Sequence, residues 1–335
     1  MFRDVEPCMR CIIQLLATAA FGVRKDAMHR SAYLSKRNKM KKTLALLTLA
    51  VVAAAANAQV IDGTANDAAY GAAKFVQTSA TQFGNATNGE LGQSLGGSEI
   101  NQVFATYNAL GISIAVTGNL ENNYNKLALF IDTGNGGENV IGATQGSTTD
   151  FGWLGSLNGL TFDAGFNASH ALWYRYGGGG APNQGFVSLA SLGASGSDII
   201  NASNNTLATN AVSTIVDGGF SFAFNHSNTA GVDGGSAAGA SSVLTGMEVF
   251  IPWASLGVVN PGIIKVAGFV SSSGQFLSNQ VIGGDALANN LGNAGQVNFA
   301  NIAGNQYVEV VPEPMTMTAL GLGLAALAAR KRRKA

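Results

Sequence analysis

The residues able to do chemistry are few in this 335-residue chain, and they are scattered. Between Gln59 and Val311 lie fifteen carboxylates, two histidines (His170 and His226), four cations (Lys74, Lys126, Arg175 and Lys265) and no cysteine. Glycoside hydrolysis needs two carboxylates roughly 5–10 Å apart across a cleft. Fifteen carboxylates form some such pair by chance, and no spacing singles one out. A Ser-His-Asp relay would have to use His170 or His226, and no Gly-x-Ser-x-Gly elbow accompanies either. The sequence places His170 at a surface or strand edge and His226 at the end of a strand, capping a loop. Cys8 and Cys11 form a lone Cys-x-x-Cys near the N-terminus, outside the stretch that reads as folded, so neither a disulfide framework nor a zinc site is expected. The chain is therefore expected not to be an enzyme. A secreted hydrolase is the least favoured alternative.

Two patterns point to binding instead. The loop 132–139, DTGNGGEN, offers hard oxygens from Asp132, Asn135, Glu138 and Asn139 on a Gly-rich backbone. That chemistry suits calcium, which takes six to eight oxygen ligands. The same residues also serve as turn formers between strands, and this is the preferred reading. The loop is not an EF-hand, because the spacing and the final bidentate Glu are missing. No other cofactor is expected. The run Trp173, Tyr174 and Tyr176 is the candidate platform for stacking on a glycan.

Charge narrows the partners further. Only 11% of the residues are charged, against roughly 25% in ordinary globular domains. The formal net charge of zero hides a segregation: residues 1–58 hold ten Lys/Arg and three Asp/Glu, and five more basic residues close the chain. Between 59 and 311 the four cations face fifteen acids. An acidic surface repels phosphate backbones, so no nucleic-acid partner is expected.

Both ends carry targeting signals. Residues 40–58 read MKKTLALLTLAVVAAAANA, with Lys41 and Lys42 ahead of an apolar run and small residues before Gln59. This order predicts a signal peptide cut by signal peptidase between Ala58 and Gln59. Residues 1–39 show no periodicity and read as an over-extended, disordered start ahead of Met40. At the other end, residues 311–335 hold Pro312, Glu313 and Pro314, then fifteen uncharged residues, then Arg330, Lys331, Arg332, Arg333 and Lys334. Fifteen helical residues span about 22 Å, short of the roughly 30 Å hydrocarbon core, and snorkelling of Arg330 would cover the difference. The five cations hold the tail in the cytoplasm and leave the acidic body outside.

This three-part tail resembles the PEP-CTERM sorting signal of Gram-negative bacteria. The resemblance implies recognition by exosortase, processing at or near Pro312-Glu313-Pro314, and delivery to the cell surface or extracellular matrix. The alternative is an ordinary tail anchor with a chance Pro-Glu-Pro.

The elements between the signals are strands. Short apolar or alternating runs recur at 99–107, 111–117, 126–132, 160–166, 171–176, 185–190, 211–216, 219–225, 246–251, 263–271, 296–299 and 306–311, separated by Gly/Asn/Ser clusters. Ile112, Ile114 and Val116 alternate with Ser113, Ala115 and Thr117, and Phe220, Phe222 and Phe224 repeat the pattern. Asn108 to Gly111 would close a hairpin. Segments 177–180, 193–205 and 228–242 read as long loops. The fold class expected is all-β: a single jelly-roll-like β-sandwich over 59–310, flanked by the signal peptide and the C-terminal transmembrane helix.

The body also resembles extracytoplasmic sandwich domains of the family 9 carbohydrate-binding module and DOMON type. The resemblance rests on Ile61-Asp62-Gly63 with Asp67 and Tyr70-Gly71, on GISIAVTGNLENNYNKLALFIDT as paired central strands, and on MEVFIPWASLG. It implies the sandwich fold, and in the carbohydrate-binding family a pair of facing tryptophans; this body holds Trp153, Trp173 and Trp253.

The function expected is thus a non-enzymatic exported protein of the surface or matrix, associated with exopolysaccharide. It would be anchored in the inner membrane before exosortase acts. A specific carbohydrate-binding module is the runner-up, which exposed aromatics in a groove would favour.

Overall fold

The computed structural model describes residues 59–83, 97–145, 152–177, 183–207, 212–228, 239–284 and 287–311. The segments read as start, signal peptide, sorting motif and membrane helix lie outside the described residues. Among the described residues, no helix is long and apolar enough to cross a membrane.

Strands dominate, and they form two antiparallel sheets. The first contains β1 (Phe75–Val76), β2 (Glu99–Tyr107), β3 (Gly111–Asn119), β8 (Val212–Asp217), β9 (Phe220–Asn225) and β10 (Gly246–Pro252), in the order β1-β2-β3-β10-β9-β8. The second contains β4 (Asn123–Asp132), β5 (His170–Gly177), β6 (Asn183–Ser191), β7 (Asp198–Leu207), β11 (Ile264–Ser271), β12 (Phe276–Val281) and β13 (Gly292–Asn293), in the order β13-β12-β11-β4-β5-β6-β7. A short β14 (Val308–Val310) pairs with the start of β11.

The alternation read in the sequence explains why the sheets face each other. Ile112, Ile114 and Val116 of β3 and Phe220, Phe222 and Phe224 of β9 enter one buried cluster. Leu127, Leu129 and Ile131 of β4, with Leu172 of β5, enter it from the second sheet. One core filled from two sheets is the defining feature of a sandwich.

The intervening residues of the second sheet are buried as well. Ala128, Phe130, Trp173 and Phe269 point the other way and join a second cluster with Ile141, Trp153, Leu160, Phe162 and Phe299. This cluster comes from the stretches after β4 and after β13, which lie over the outer face. Being buried on both faces is why the stretch Leu127-Ala128-Leu129-Phe130-Ile131 is apolar throughout.

That cover accounts for two expectations the structure corrects. The runs 160–166 and 296–299 are not strands. Thr161 makes only isolated bridges to Val140 and Asn298, and 3-10 turns occupy Ala294–Gln296 and Phe299–Asn301. Leu160, Phe162, Phe166 and Phe299 satisfy their apolar character against the sheet rather than in a ladder, and Gly159 and Gly165, both at positive φ, interrupt extended backbone. Trp153–Ser156 forms a single helical turn in the same cover.

Two strands were illegible for the opposite reason. Segment 193–205, read as a loop, contributes most of β7, held along β6 at the sheet's edge. The polar strand β12 buries Ser278, Asn279 and Gln280. Asn279 Nδ2 donates to Ala80 O at 2.8 Å, and Gln280 Nε2 donates to Ser79 O at 2.7 Å. Buried amides are tolerated when so partnered.

The hairpin at Asn108 forms as expected, with Asn108 Oδ1 accepting from Leu110 N at 2.8 Å. The expected pairing of β3 with β4 does not. β3 pairs with β2 and β10, whereas β4 pairs with β5 and β11. The link 120–122 crosses between sheets because Leu120 is drawn into the core and Glu121 accepts from Ser98 Oγ at 3.1 Å.

Candidate functional site

Register places three side chains in a row on the outer face of the second sheet. Lys126 of β4 lies opposite Arg175 of β5, and Arg175 lies opposite Phe186 of β6. Facing residues in antiparallel strands project to the same side. The row shares that side with Ala128 and Trp173, at the point where the apolar cover stops.

An open cleft of about 560 Å³ stands over this row. Its walls include Tyr124, Trp153, Ser156, Ser273 and Gly274. Lys126 is buried, and its Nζ donates to Ser273 O at 2.8 Å, 5.3 Å from the Trp153 ring centroid. Trp153 Nε1 donates to Gly274 O at 2.7 Å, which fixes the indole. The Arg175 guanidinium carbon sits 4.2 Å from the Phe186 ring centroid and 5.6 Å from that of Tyr124.

Tyr124 is the one non-glycine with positive φ (65°) among the described residues. A tyrosine there is strained, and such strain clusters at functional positions. Gly177 makes room for its ring, since a Cβ on Gly177 would lie 2.9 Å from Tyr124 Cδ2. Tyr124 is 36% exposed and borders the cleft. Among the described lining residues none is a carboxylate. The cleft offers aromatic faces for stacking. Sequence reasoning missed it. The available signal was that two of only four body cations fall on neighbouring strands beside aromatics.

The expected glycan platform is corrected. Trp173, Tyr174 and Tyr176 are at most 1% exposed. The reason is the strand period of two: Trp173 packs outward on Trp153, with ring centroids 5.4 Å apart, while Tyr174 and Tyr176 point into the core. Tyr174 lies 4.7 Å from Phe224, and Tyr176 lies 4.0 Å from His226.

Three of the four candidate calcium ligands turn to different protein partners. Asp132 accepts from Gly134 N at 2.8 Å and Asn167 N at 3.0 Å. Glu138 accepts from Gln145 Nε2 at 2.7 Å. Asn139 Nδ2 donates to Asp163 O at 2.8 Å and Phe166 O at 2.9 Å. Asn135 is exposed. A second cleft of about 670 Å³ includes Asp132 but also Lys265, its cross-strand neighbour, which brings a positive charge to the site. Among the described residues no group of three or more His, Cys, Asp or Glu is placed to hold a metal.

Both histidines sit at strand ends, as the sequence indicated, but neither is at the surface. His226 is fully buried against Tyr176 and Phe224, and burial pushes its pKa down to about 3. His170 is buried too, with Nδ1 3.0 Å from Ser169 Oγ, and burial lowers it to about 4. Both are core residues, because each lies on or beside a strand with a covered face.

A buried carboxylate lies at the middle of the first sheet. Glu248 of β10 accepts from Asp62 N at 2.9 Å, Gly63 N at 3.0 Å and the Tyr70 hydroxyl at 2.9 Å. Burial raises its pKa against the lowering effect of those donors. With its oxygens so occupied, it fastens the N-terminal strap to the sheet.

Residues 310–333 match the family described as the PEP-CTERM protein-sorting motif. The match covers the tail only. Comparisons with curated proteins and with solved structures find no match. The motif marks the chain as an exported protein sorted by exosortase, made as a membrane-anchored precursor and later processed to the cell surface. Pro312, Glu313 and Pro314, together with the basic tail from Arg330 to Lys334, fall within the matched span or at its edge.

Proposed function

We propose that this protein is a non-enzymatic component of the cell surface or extracellular matrix, held there by association with exopolysaccharide. The sorting motif at 310–333 carries the reading, because it directs the folded body outward. The acidic, weakly charged body and its polar loops support it, since a surface rich in Asn, Ser, Thr and Gly suits a hydrated polysaccharide environment. The open aromatic cleft supports the runner-up, a specific carbohydrate-binding module, without displacing the first reading.

The test is fractionation of producing cells into inner membrane, outer surface and shed matrix. The processed protein should travel with the matrix and be released when the polysaccharide is digested or its synthesis is blocked. A processed protein found entirely in the soluble medium, with or without polysaccharide, would contradict the association.

A further inference from the structure

We propose that one corner of the body rests on the lipid surface while the precursor is membrane-anchored, and that its exposed apolar tips, Leu110, Val259 and Ile263, touch the bilayer. This goes beyond the matrix reading and stands on the sorting motif instead.

The first argument is reach. The described body ends at Val311, and the apolar run of the tail begins at Met315. Four fully extended residues span at most about 14 Å. In a membrane-anchored precursor the surface around Val311 therefore stands close to the bilayer. β14 fixes where that surface is. Its Val310 pairs with Ile264, the first residue of β11, so the chain leaves the body beside Ile263.

The second argument is what surrounds this exit. Tyr107 ends β2, and its hydroxyl donates to Gly262 O at 2.7 Å, which brings the β2–β3 hairpin against the start of β11. Trp253 Nε1 donates to Asn108 O at 2.8 Å, and the Trp253 backbone N–H donates to Leu110 O at 3.1 Å. The Trp253 carbonyl accepts from Val258 N at 3.0 Å, so the link that carries Val259 is tied to the hairpin that carries Leu110. Leu110 is 74% exposed, Val259 87% and Ile263 52%. No charged residue occurs in 107–111 or in 253–263. Lys265 and Glu309, two residues further in from the exit, oppose each other across the ladder. Other turns at this end of the strands carry Asp217, Glu138 and Asp198, so the uncharged tips belong to the corner from which the tail departs.

Apolar residues exposed singly are ordinary on a protein surface. Here three fall together beside the one exit that leads to lipid. Their contact is too small to hold a free protein on a membrane. The tail supplies the tether, and a tethered contact needs little strength of its own. Seated this way, the body holds Pro312, Glu313 and Pro314 at the membrane surface in one orientation.

The experiment reads lipid contact at single sites in the full-length precursor, made in cells without exosortase and reconstituted into phosphatidylcholine vesicles with brominated acyl chains. Cys8 and Cys11 are replaced by Ser, and one new cysteine at a time, Val259→Cys or Leu244→Cys, carries an environment-sensitive fluorophore. Leu244 is the control, because it is apolar and 40% exposed but precedes β10 at the opposite end from Pro252. The label at 259 should shift to the blue and be quenched by brominated lipid, and the label at 244 should do neither. A label on Ile263→Cys reads the contact when the other tips are made polar. Leu110→Ser with Val259→Ser should remove most of its quenching while the tail stays anchored. The melting temperature should be unchanged, since both side chains lie outside the core.

Absent quenching at 259, or equal quenching at 259 and 244, would overturn the proposal, because the body would then hang free of the bilayer or turn on its tether. Unchanged quenching at 263 in the Leu110→Ser, Val259→Ser protein would overturn it as well, leaving the tail alone as the cause of proximity. None of these results touches the matrix reading, which the fractionation of processed protein tests separately.

Discussion

Tyr70 and Glu248 are 178 residues apart in sequence, and the tyrosine hydroxyl donates to Glu248 Oε1 at 2.9 Å inside the protein. The other carboxylate oxygen collects the backbone N–H groups of Asp62 and Gly63. Gly63 sits at φ +81° so closely against β9 that a Cβ would lie 2.7 Å from Asn225 N. One carboxylate therefore docks the first described residues of the body onto the middle of the first sheet, over Phe104 and Ala115.

Removing this carboxylate should be costly. Glu248→Ala leaves the Tyr70 hydroxyl and two backbone donors without an acceptor, and each such buried group costs about 1–3 kcal/mol. A total loss of about 3 kcal/mol or more is expected by denaturant unfolding. Tyr70→Phe removes one donor and should cost about 1–2 kcal/mol. Equal stabilities for Glu248→Ala and wild type would mean the strap is not held by this residue.

The corrected platform makes its own prediction. Trp173 fills the second core against Trp153, so Trp173→Ala should destabilise the protein by about 3–5 kcal/mol. The part that stays folded should keep wild-type affinity for any saccharide it binds. Lost affinity at full stability would restore Trp173 as a contact residue.

Acid should destabilise the protein through its histidines. Burial holds His226 at about 3 and His170 at about 4 in the folded state, against about 6.5 when unfolded. Depressed values mean that the unfolded chain takes up the protons first. The stability they support is therefore complete above about 6.5 and is lost as pH falls toward the folded values. Glu248 and Asp163 act in the opposite sense, because burial raises both and their contribution is lost as pH rises. Subtraction isolates one group: the stability difference between wild type and His226→Phe should change by about 1.4 kcal/mol per pH unit between about 4 and 6. A flat difference would mean that His226 is not held neutral.

The fold was legible where the strand period decided burial. Ile112-Ile114-Val116 and Phe220-Phe222-Phe224 announced core faces, and Asn108 announced its turn. The cover was not legible, because Leu160, Phe162 and Phe299 are apolar for the sake of a sheet distant in sequence. β12 was hidden because its buried Asn279 and Gln280 are satisfied by residues near Ser79, a pairing no local pattern reports. The cleft escaped for the same reason. Lys126 and Arg175 meet only through the register of β4 with β5, and two of their aromatic partners, Trp153 and Phe186, come from further segments. The sorting motif was legible, because its signal is local and ordered along the chain.

The most direct measurement concerns Glu313. Replacing it with Ala leaves the apolar run from 315 to 329 and the cations from Arg330 to Lys334 untouched, so membrane insertion by hydrophobicity and charge should be unchanged. With the motif broken, exosortase processing should stop, and full-length protein should accumulate in the inner membrane while the surface and matrix are depleted. Immunoblotting of membrane and surface fractions reads this directly. A Glu313→Ala protein processed and delivered like wild type would contradict the account and reduce the tail to a plain membrane anchor.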